Sequence, residues 1–68
     1  MPTESPNDPM EIASFLIDEE GLDRALQVAY DGIGRANELQ EYYLLSIWRE
    51  VRLHLQEKIK ERDLVEPS

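Results

Sequence analysis

The stretch Tyr42-Tyr43-Leu44-Leu45-Ser46-Ile47-Trp48 is apolar or aromatic at every position but Ser46. A half-buried strand would alternate apolar and polar residues, and this stretch does not. Continued downstream, Leu44, Leu45, Trp48, Val51, Leu55 and Ile59 recur three and four residues apart. That is the period of an amphipathic helix. The spacing predicts a helix over about 38–62. Glu57 with Lys60 and Lys58 with Glu61 are three apart, and Lys58, Lys60 and Arg62 suit the negative end of a helix dipole.

Upstream, Asp8-Pro9-Met10-Glu11 reads as a helix start. Asp8 can cap, Pro9 takes the first helical position and Glu11 the place of a capping-box acid. Ile12, Ala13 and Leu16 form a stripe that Phe15 and Ile17 widen, and Gly21 is a natural stop. A first helix is predicted over about 9–20. Asp23 can cap a second, over about 22–36, with Leu22, Ala25, Leu26, Ala29, Gly32, Ile33 and Ala36 at helical spacing. Gly32 and Gly34 each cost a helix about 1 kcal/mol relative to alanine. Either packing offsets that cost or the helix bends or ends there; a turn is expected near Asn37.

The predicted fold is all-α: a short N-terminal helix plus an antiparallel helical hairpin, completed as a bundle by dimerisation. Residues 1–8 are expected to be a disordered segment, 9–62 a single helical domain and 63–68 a frayed tail. The expected core is Ile12, Leu16, Leu26, Ala29, Ile33, Leu44, Leu45, Trp48, Val51 and Leu55.

That core leaves part of YYLLSIW uncovered. On a helical projection Tyr42, Leu39 and Leu53 fall opposite the Leu44–Trp48 stripe, Tyr43 lies further round, and Ile47 falls at the margin. A helix apolar nearly all round is buried on more than one side, and two short helices are few to cover it. Leu39, Tyr42, Tyr43, Ile47 and Leu53 are therefore the candidate interface of a homodimer. A 68-residue core is marginal without a staple. The chain has no cysteine and one histidine, which excludes a disulfide and leaves no metal or other cofactor expected.

The formal net charge is −8. Direct binding to nucleic acid or an anionic membrane needs a basic footprint and is not expected. No apolar run approaches a membrane span, and the first ten residues lack the pattern of a secretory signal, so a cytoplasmic protein is expected. Seven acids and no base fall within residues 1–23, whereas residues 49–68 hold five of each. Asp18, Glu19 and Glu20 sit where a helix dipole disfavours acids, which makes them a candidate contact for a partner with a basic surface. An acidic inhibitor, such as an antitoxin or nucleic-acid mimic, is the alternative function. Mimicry favours carboxylates spread along a long face, and here they cluster in the N-terminal third.

No motif carries catalytic chemistry. Asp31-Gly32-Ile33-Gly34 lacks the strand before it that a phosphate cradle requires. Asp18–Asp23 lacks the spacing of a calcium loop. His54 follows Glu50 by one helical turn and reads as a surface pair. Ser14 and Ser46 have no histidine at a spacing that would activate them. The expected class is a non-enzymatic interaction or regulatory protein.

Arg35-Ala36-Asn37-Glu38-Leu39 followed by Trp48–Leu55 resembles a family of small uncharacterised bacterial all-helical proteins. These have an alanine/leucine helix, a short turn, and a tryptophan with an apolar residue three positions on. The matching residues are Ala36, Leu39, Trp48 and Val51, and the resemblance spans about residues 12–56. The glycine-aspartate turn before the tryptophan helix is missing here. The resemblance implies a small all-helical fold and supplies no activity.

Overall fold

A computed structural model describes residues 8–65. Three helices account for nearly all of them: α1 (Pro9–Glu20), α2 (Leu22–Glu38) and α3 (Tyr42–Val65). No strand occurs among the described residues. Residues 1–7 of the expected disordered segment, and 66–68 of the expected tail, lie outside them.

α1 begins as its sequence dictates. The Asp8 carboxylate accepts a hydrogen bond from the Met10 N–H at 3.2 Å, and Pro9 opens the first turn without wasting an N–H. Gly21 then serves both helices. Its N–H donates to the Ile17 carbonyl at 2.9 Å, and its own carbonyl accepts from Ala25 at 2.8 Å. Its φ of 88° and ψ of 159° suit glycine and few other residues. The expected cap at Asp23 is corrected: Gly21 is the N-cap of α2 and no side chain caps it, while Asp23 lies inside the first turn.

α2 is continuous through both glycines and ends at Glu38, beyond the expected 36. The turn lies at Leu39–Glu41, not at Asn37. Gln40 takes φ 59°, its N–H donates to Asn37, and the Glu41 N–H reaches back to Ala36 at 2.9 Å. This is the Schellman pattern, which usually places glycine where Gln40 stands. α3 accordingly starts at Tyr42, later than expected, and runs on to Val65 through residues expected to fray.

The core cluster joins Ala13 and Leu16 of α1, Ala25 and Ala29 of α2, and Ile47, Val51 and Leu55 of α3. The alanines of α2 let the neighbouring helices approach closely, which is how three slender helices exclude water. Ile12, Leu26 and Trp48 pack against this cluster half-buried. Ile33 and Leu45 are also half-buried. Leu44 corrects the expected core: it is 37% exposed. Contacts between α2 and α3 run in opposite order along the two helices. Asp23 lies 3.6 Å from Arg62, the Gln56 amide donates to the Tyr30 hydroxyl at 3.2 Å, and Gly32 faces Trp48.

Gly32 explains itself in that contact. A Cβ there would lie 2.8 Å from Cγ of the Trp48 ring and closer still to Cδ2 and Cε2. The indole therefore lies flush against the α2 backbone, and this packing offsets the helix penalty of the glycine. Nothing lies within 4 Å of a Cβ built at Gly34, so that glycine has no packing role.

Candidate interaction surface

Helix lengths decide where the surface stays apolar. α1 has 12 residues and α3 has 24, or roughly 18 Å against 36 Å at 1.5 Å per residue. α1 packs along the later half of α3, where Met10, Ala13, Ser14 and Ile17 face His54, Glu57, Lys58 and Glu61 across a shallow groove. It does not reach the other end of the α2–α3 pair.

At that end a groove of about 730 Å³ lies open. Val28, Gly32 and Ala36 line it from α2, Leu44 and Trp48 from α3, and Leu39 from the turn. Asp31, Arg35 and Glu41 add exposed charge along it. No ion pair joins any of these three to another described residue. At the same end Leu39 in the turn, and Tyr42 and Tyr43 at the start of α3, are 66%, 66% and 67% exposed. Three large side chains of this exposure within five residues, next to an apolar groove, are the kind of surface that marks a contact site.

The expected interface residues divide. Leu39, Tyr42 and Tyr43 gather at this end. Leu53 is exposed three turns further along the outer face of α3, among polar neighbours. Ile47 is a correction: it is buried in the intramolecular core, 8% exposed. The sequence reading missed the groove itself, with Val28, Asp31, Arg35 and Glu41. The signal available was the length of the first helix, too short to cover the whole of the third.

The acids at the end of α1 are exposed. Glu20 lies 3.8 Å from Arg24, one turn on, and Asp23 pairs with Arg62; Asp18 and Glu19 have no ion-pair partner among the described residues. Ser14 and His54 line the same shallow groove between α1 and α3, but no hydrogen bond joins them. That arrangement supplies no activated nucleophile. Among the described residues no cluster of His, Asp and Glu could hold a metal, and no helix is long and apolar enough to cross a membrane. No family model, curated protein or solved structure matches the chain.

Proposed function

We propose that this chain is a small, non-enzymatic protein–protein interaction module: an antiparallel helical hairpin of α2 and α3, braced at one end by α1 and associating through the other. Its first partner is a second copy of itself. The observation that carries this reading is the bare end of the α2–α3 pair. There Leu39, Tyr42 and Tyr43 are about two-thirds exposed beside an open apolar groove. A chain of this size gains most from a partner that covers such a surface. Tyrosine suits the role, joining a large apolar ring to a polar tip.

The test is solution mass at low micromolar concentration by sedimentation or light scattering. Wild-type protein is expected at twice the chain mass. Leu39→Glu should shift it to the monomer while far-ultraviolet helicity is retained, because Leu39 is two-thirds exposed and outside the core cluster. Leu53→Glu, on the outer face of α3, should leave the mass unchanged. A wild-type monomer would defeat the reading. Loss of the dimer on Leu53→Glu alone would move the interface to the back of α3.

A further inference from the structure

The charges beside the groove bear on which way round the second copy sits. Asp31 and Arg35 stand one turn apart on the groove side of α2, both exposed, and neither has an ion-pair partner among the described residues. Val28 lies before them and Leu39 after them, along the same groove. Read in order, the four are apolar, acidic, basic, apolar. Reversed, the order is apolar, basic, acidic, apolar. The strip is its own complement only when a second copy runs the opposite way.

We propose that the groove face of α2 is an isologous interface, occupied by the same face of a second copy. The two α2 helices run antiparallel about a two-fold axis that crosses them near Ile33. Asp31 then meets the second copy's Arg35, and Val28 meets the second copy's Leu39. Two-fold symmetry makes each contact twice. Leu44 and Trp48, on the other wall of the groove, are covered by the same approach. Parallel pairing would set Asp31 against the second copy's Asp31 and Arg35 against its Arg35, and like charges in register are disfavoured. Any other partner would have to supply the reversed pattern from its own sequence, whereas a second copy supplies it automatically. This inference rests on the dimer reading and adds the interface and its orientation.

A charge swap tests it. The dimer dissociation constant is measured by sedimentation for wild type, Asp31→Arg, Arg35→Asp and the double variant, with helicity recorded for each. Either single substitution should weaken association at least about tenfold, since each puts like charges together twice. The double variant should return to within about threefold of wild type, because the exchange restores opposite charges across the axis. If a single variant unfolds, Asp31→Asn and Arg35→Gln read the same contact through a smaller loss, about threefold each. A dimer indifferent to all these changes, or a double variant no tighter than the singles, would overturn this interface. Weakening by Leu39→Glu would then leave the dimer reading intact. A wild-type monomer would overturn both.

Discussion

The two ends of the α2–α3 pair are built from similar residues and end in different states. Near Gly21 three helices meet, and Ala25 and Leu55 are wholly buried. Near Gln40 only two helices meet, and Leu39, Tyr42 and Leu44 face water. Leu44 and Leu55 lie on the same side of α3, 11 residues or about three turns apart. The third helix makes the difference. Burial here depends on how many elements reach a position as well as on which face of its own helix it occupies.

The sharpest attempt to break this contrast is Leu55→Ala. It should cost about 2–5 kcal/mol, as truncation of a fully buried leucine does. A domain this small has a total stability on the order of 5 kcal/mol. Urea denaturation should therefore show a chain close to unfolding. A midpoint near that of wild type would mean that the three-helix end is not the main source of stability.

The glycines of α2 sharpen the comparison by sign. Gly32→Ala gains about 1 kcal/mol of helix propensity but drives a methyl group into the Trp48 ring, at an overpacking cost of about 1–3 kcal/mol. A net loss on the order of 1 kcal/mol is expected. Gly34→Ala meets open space and should raise the melting temperature, through about 0.5–1 kcal/mol of added stability. The same substitution two residues apart should thus act in opposite directions. Equal effects would mean that the indole does not rest on the Gly32 backbone.

The smallest effect expected is at the covered end. Arg62→Ala removes contacts to Asp23 and Asp63 at 3.6 and 3.5 Å, all between largely exposed groups. The loss should stay under about 0.5 kcal/mol and shrink further in salt. A larger, salt-sensitive loss in thermal unfolding would credit charge with part of what apolar burial is held to do there.

The helices were legible because their signals are local. Pro9 after Asp8, the glycine at 21 and the three-to-four-residue recurrence of Leu44 to Ile59 each act within a turn or two of chain. The turn was misplaced because Gln40 adopts a left-handed conformation that propensity assigns to glycine, so no residue type announced it. Ile47 and Leu44 were exchanged between interface and core for a different reason. Leu44 belongs to the main stripe and Ile47 falls at its margin, and how many helices reach each position is a tertiary fact absent from α3's own periodicity. The candidate surface was half legible: the sequence pointed to Leu39, Tyr42 and Tyr43, while the groove beside them exists only once α2 and α3 are set side by side.

Gly21 joins α1 to α2 with a single residue and takes part in the hydrogen bonding of both. One residue inserted in the last turn of α1 would turn the rest of that helix by about 100° about its axis relative to α2. Ala13 and Leu16 would then swing out of the core, and polar neighbours such as Ser14 would swing in. The length of this joint is therefore as constrained as the volume of a core side chain. Insertions and deletions, which surface connections usually absorb, should be tolerated here only in whole helical turns or not at all.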